Sequence, residues 1–108
     1  DGLAFEFNKR GGIGIISVTA NVAPKLCSDM QKFSKSKSDN EFKEAERIDQ
    51  ILQPLHKSLF IESNPAPVKY AAKLLGLCDD AIRLPLVKIK KETQEKVKKA
   101  LSSAKLIS

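Results

Sequence analysis

The apolar residues of this chain fall into one continuous run and a set of periodic stripes. The run is Gly-Gly-Ile-Gly-Ile-Ile-Ser-Val-Thr-Ala-Asn-Val at 11–22, whose centre, 13–18, is apolar and β-branched at consecutive rather than alternating positions. A strand buried on both faces of a parallel sheet reads this way. It is the only such strand in the sequence, and a single parallel strand leaves its ladder groups unpaired. The expectation is therefore a piece of a larger sheet. Gly14 inside the strand points to close approach of another backbone or a ligand, or to tight helix packing.

The stripes predict helices. Residues 1–10 read as the end of one, with Leu3, Ala4 and Phe7 on one side and Gly11 and Gly12 closing it. Pro24 fits the first turn of a helix over 23–33, capped by Asn21 or a neighbour, with Val22, Leu26, Met30 and Phe33 on its apolar face. Phe42, Ala45, Ile48, Leu52, Leu55 and Leu59 recur every three or four positions and predict a helix over 39–60, kinked at Pro54. Asn64 and Pro65 predict a helix start, Val68, Ala71, Ala72 and Leu75 its inner face, and Gly76 its end. An extended link at 83–87 leads to a last helix over 91–104, with Val97, Ala100, Leu101 and Ala104 inward. The chain is thus one βα step followed by a helical appendage.

Composition changes this picture little. The 108 residues are 42% hydrophobic, enough for one domain with a core, and 30% charged with few aromatics, which suits amphipathic helices. The only methionine is Met30, which implies a processed product or an excerpt. The net charge of +6 raises a nucleic-acid reading. However, much of the excess lies in Lys88, Lys90, Lys91, Lys96, Lys98, Lys99 and Lys105, a solvated outer face without interleaved aromatics, and no nucleic-acid partner is expected. Cys27 and Cys78 stand far apart with no metal-ligand spacing, as free buried thiols do. No signal peptide and no run near the ~20 apolar residues that span a bilayer is present, so a cytoplasmic protein with no membrane role is expected. His56 sits beside the long stripe with no carboxylate or cysteine placed to serve it, and receives no role.

Five stretches together resemble the C-terminal portion of the dihydrodipicolinate synthases, within the pyruvate-dependent class I aldolase and N-acetylneuraminate lyase family. They are residues 11–22, Pro54-Leu-His-Lys57 with Leu59-Phe60, Asn64-Pro-Ala-Pro-Val-Lys69, Leu75-Gly-Leu77 and Arg83-Leu-Pro-Leu86. The resemblance implies a fragment of a (β/α)8 TIM barrel: residues 1–36 as the end of the barrel, with its eighth strand and helix, and residues 37–108 as a mainly α-helical C-terminal extension. Seven strands would lie upstream, which answers the partnerless strand.

The same resemblance implies a lyase of lysine and diaminopimelate biosynthesis that condenses pyruvate with aspartate semialdehyde through a Schiff base, without a cofactor or metal. The Schiff-base lysine and the tyrosine and threonine of the proton relay belong to the upstream part. No catalytic residue is expected here; Lys69 is a structural residue of the extension and Tyr70 lies in no matching motif. What this segment brings is Ile16, whose backbone carbonyl faces pyruvate in the family. The implied partners are the remaining N-terminal barrel half and three further copies in a homotetramer, and the fragment alone is expected to be inactive. Ala66 replaces a bulkier aliphatic residue, and Lys88, Lys90 and Lys91 replace the proline and serine-type cap before the last helix, at a cost of about 1 kcal/mol. The rival reading is a non-catalytic helical interaction module from a split or degenerate gene.

Overall fold

The computed structural model describes residues 1–108 as five α-helices joined by irregular segments. They are α1 (Ala4–Lys9), α2 (Pro24–Ser34), α3 (Asp39–Ser58), α4 (Ala66–Leu74) and α5 (Lys91–Ser103), with a short 3₁₀ turn at Thr19–Asn21. Helix α3 is the spine. It packs against α2 on one side and α5 on another, α4 completes the α5 side, and α1 lies against α2. The Cα radius of gyration is 14.4 Å, above the roughly 13 Å of a compact domain of this length. The excess reflects extents of 45 × 29 × 21 Å, a slab rather than a sphere.

The periodic stripes become the core. Ala45, Leu52, Leu55, Leu59, Ala71, Val97 and Leu101 are fully buried. Burying a leucine side chain contributes about 1.5–3 kcal/mol, so Leu52, Leu55, Leu59 and Leu101 each add substantially to the stability of the slab. Pro54 lies within α3 on its exposed side, where the helix runs on past it. On α1 the expected face is only partly the buried one: Ala4 is buried as expected, but Leu3 and Phe7 are not. Ala4, Phe5 and Asn8 point inward, with the Phe5 ring 5.3 Å from that of Phe42 and tilted 44° to it, while Leu3 and Phe7 are exposed. The apolar stripe on a helix this short fits either face, and α2 and α3 take the one carrying Phe5.

Helix ends follow their glycines. At α1 the amide of Gly11 donates to Asn8 and that of Gly12 to Phe7, with Gly11 at φ 97°. At α4 the amide of Gly76 donates to Lys73 and that of Leu77 to Ala72, with Gly76 at φ 76°. Both are Schellman closures, in which a left-handed residue turns the chain back onto the last carbonyls. Helix α5 closes identically but with Lys105 at φ 59° in the glycine position.

Helix starts depart from expectation. Pro24 is the first residue of α2, but Ala23 flanks it with no side-chain cap, and Asn21 instead donates to the Val18 carbonyl. Helix α4 begins at Ala66, one residue later than expected, after a cis Asn64–Pro65 bond. Residues 83–86 form a turn with a cis Leu84–Pro85 bond, not an extended link. The cap missing before α5 is supplied from elsewhere: the Glu62 carboxylate accepts from the Lys90 amide, and the Thr93 hydroxyl beside it, with that amide, holds the carboxyl below its usual range. A carboxylate at this helix end also meets the positive end of the helix dipole.

The expected strand makes no ladder. Residues 13–17 donate and accept no backbone–backbone hydrogen bond, and Ile13 and Ile16 are almost wholly exposed. The reason is the one the sequence implied, since no second strand exists in the chain to pair with it.

Candidate functional site

Around this unpaired stretch the chain exposes Leu3, Phe7, Ile13, Ile15 and Ile16. Leu3, Phe7, Ile15 and Ile16 share the wall of one open cleft of about 390 Å³. Isolated exposed apolar residues are ordinary, but a contiguous set beside open ladder groups marks a surface made to be covered. Ile16 is the most exposed of these residues. Its carbonyl accepts no backbone hydrogen bond within the chain.

Up to Ile16 the stretch makes one hydrogen bond, from the Lys35 ammonium to the Ile13 carbonyl, and directly after Ile16 it makes several. The Ser17 hydroxyl donates to the Asp1 carboxylate, which also accepts the amides of Val18 at 2.9 Å and Thr19 at 3.3 Å. Ser17 Oγ in turn accepts the Ala20 amide at 2.9 Å. Thr19 is fully buried, and its Oγ1 lies 2.7 Å from Nδ1 of His56, itself 5% exposed. The three groups come from separate elements: Asp1 precedes α1, Ser17 and Thr19 lead into the 3₁₀ turn, and His56 sits in the last turn of α3.

His56 is thus a buried residue with a partner that the sequence reading did not find. Its burial was legible, because it stands four residues after Leu52 on the buried face of α3; its partner was not, being 37 residues away. Burial pushes the imidazole pKa down, as does the nearby α-ammonium of Asp1, while Asp49 pulls it up. Asp49 itself is pushed up by burial. His56 Nε2 is buried without a hydrogen-bond partner, and His56 is one of the residues that, with Ser17, Cys27 and Gln31, line a cavity of about 220 Å³.

The other singled-out residues are placed plainly. Cys27 is buried, which raises its thiol pKa, but Cys78 is exposed, against the expectation of two buried thiols. Lys69 is half-buried and donates to the Ala81 carbonyl, and Tyr70 packs against the core. No lysine of the chain is buried, so none has the desolvated setting that a neutral, nucleophilic amine needs. The lysines at 88, 91, 96, 98, 99 and 105 are exposed, and Lys88 and Lys73 pair with Asp80. No helix is long and apolar enough to cross a membrane. No group of three or more histidine, cysteine, aspartate or glutamate side chains is gathered to hold a metal.

Residues 1–104 match the model of the dihydrodipicolinate synthetase family. The chain belongs to that family. It is 65% identical over 107 residues to the 4-hydroxy-tetrahydrodipicolinate synthase of Pelagibacter ubique, and 50% identical over 108 residues to that of Parvibaculum lavamentivorans. These alignments cover 99% and 100% of the chain and 36% of each relative. Among solved structures it superimposes on dihydrodipicolinate synthase of Thermotoga maritima with a TM-score of 0.91 at 35% identity, covering 98% of the chain and 35% of that one. The chloride-inhibited Acinetobacter baumannii synthase complexed with pyruvate gives 0.89 at 39% identity, with the same coverage. The chain therefore spans about a third of the length of the synthases it matches. Its fold is that of a C-terminal fragment of this TIM-barrel family, the helical extension included.

Proposed function

We propose that this chain is the closing segment of a 4-hydroxy-tetrahydrodipicolinate synthase, in which residues 1–36 complete the barrel and residues 37–108 form the extension. Residues 13–17 become the eighth strand once the other seven are present. The complete barrel condenses pyruvate with aspartate semialdehyde through a Schiff base on a lysine of the other part, in the cytoplasm and as a homotetramer. Ile16 contributes its carbonyl toward bound pyruvate, and the 108 residues alone are inactive.

The observation that supports this most is the unpaired stretch 13–17, whose open ladder groups and exposed isoleucines ask for strands on both sides. A synthase assay tests the reading. The chain assembled with the rest of the barrel turns over pyruvate and aspartate semialdehyde, and the chain alone does not. Turnover by the chain alone, or none by the completed barrel, overturns it. The second outcome favours a non-catalytic helical interaction module, for which the same exposed apolar surface would be the binding face.

A further inference from the structure

We infer that Asp1, Thr19 and His56 are positioning residues that fix the Ile16 carbonyl, so that the helical extension sets the geometry of the site from behind. This rests on the proposed synthase reading. The Ile16 carbonyl belongs to the peptide bond that enters Ser17, and everything on the far side of that bond is held. The Ser17 side chain is tied to Asp1 and to the Ala20 amide, and the amides of Val18 and Thr19 close on the second Asp1 oxygen. These bonds leave the Ile16–Ser17 peptide few torsions by which to turn.

Asp1 and Ser17 alone would hold the turn only to α1. Thr19 adds the link to the extension. With no exposed surface, and with its hydroxyl on a histidine that is itself buried in α3, it cannot shift without α3. Rotation of the turn would strand the hydroxyl and Nδ1 away from water, where an unpaired polar group is costly. Seen from Ile16, the path is three residues of backbone, one side-chain hydrogen bond and then α3, the longest helix of the molecule and the one with the most buried residues. A displacement of about 1 Å at a positioned group can cost roughly a hundredfold in rate, so a link of this kind acts on turnover without touching substrate.

The test is made in the complete barrel with Thr19→Val, Thr19→Ser and His56→Gln. Borohydride trapping of the pyruvate Schiff base, read by intact mass, counts competent sites, and turnover is expressed per trapped site. Hydrogen exchange of residues 13–22 is followed in the same samples. Thr19→Val and His56→Gln are expected to keep near-full trapping, lose at least tenfold in kcat per trapped site and speed amide exchange at Val18 to Ala20. Thr19→Ser, which keeps the hydroxyl, is expected to restore kcat to within about threefold. Turnover per trapped site within twofold of the parent in both Thr19→Val and His56→Gln would overturn the inference, because a merely structural pair lowers the number of competent sites and not their rate. Unchanged exchange in Thr19→Val would overturn the link itself. No trapped adduct in the parent would instead sink the synthase reading, and with it the effect on rate, while the exchange data still decide whether the link exists.

Discussion

Thr19 and His56 meet in a buried hydrogen bond of 2.7 Å, Oγ1 to Nδ1, that ties the turn after the unpaired stretch to the end of α3. Neither the Thr19 hydroxyl nor the His56 ring makes another hydrogen bond, so losing either group breaks the link. Replacing Thr19 by valine keeps the shape and leaves Nδ1 buried and unpaired, at a cost of about 1–3 kcal/mol. Thr19→Ser keeps the bond and loses one methyl group, for about 1 kcal/mol. Urea unfolding of the three proteins should rank them parent, serine, valine.

The same histidine gives stability a pH dependence. Its folded pKa lies below the ordinary value of 6.5, through burial first, then the Asp1 ammonium, against the pull of Asp49. As pH falls below that value the unfolded chain takes up a proton that the folded chain resists, so stability declines until the lowered folded pKa is passed. Asp49, whose pKa is raised from 3.8, slopes the other way at lower pH, favouring the folded state while protonated. Unfolding free energies measured from neutrality downward should fall just below 6.5 in the parent and stay flatter in His56→Gln. With residues preceding Asp1 the ammonium is gone, and the decline should be smaller.

Lys105 holds the left-handed position that closes α5, where Gly11 and Gly76 hold those of α1 and α4. A side chain there costs about 1–2 kcal/mol. Lys105→Gly should therefore raise stability by roughly 0.5–1 kcal/mol once the greater freedom of glycine in the unfolded chain is subtracted. Thermal unfolding provides the check.

Ile16 presents its side chain wholly to solvent in this chain and its carbonyl to no backbone partner. A main-chain role predicts that Ile16→Val in the complete barrel leaves kcat within about threefold, with stability changed by no more than about 0.5 kcal/mol. A large loss of turnover would assign the work to the side chain instead.

Much of the architecture was written in periodicity. The stripe from Ala45 to Leu59 gave α3, and Val97 with Leu101 gave the buried face of α5, because a helix buries residues at fixed spacing. The glycine ends of α1 and α4 were legible because only glycine takes that backbone cheaply. Caps were not. Glu62 reaches the start of α5 from 28 residues away, and no local rule finds a long-range partner. The inward face of α1 was partly misread for a related reason, since Leu3 and Phe7 are as apolar as Phe5 and only the packing of α2 and α3 decides between them. At the site, Ile16 came from family resemblance, whereas Asp1, Thr19 and His56 emerged only when three separate elements were seen to meet.

Amide hydrogen exchange at Gly14, Ile15, Ile16 and Ser17 tests most directly whether residues 13–17 are a strand awaiting its sheet. With no ladder partner in the chain, these amides should exchange nearly as fast as in an unfolded peptide, while the core of α3 stays protected. In the assembled barrel they should slow by about a thousandfold or more, alongside the other strands. Fast exchange that persists at these four amides in the assembled barrel would contradict the account.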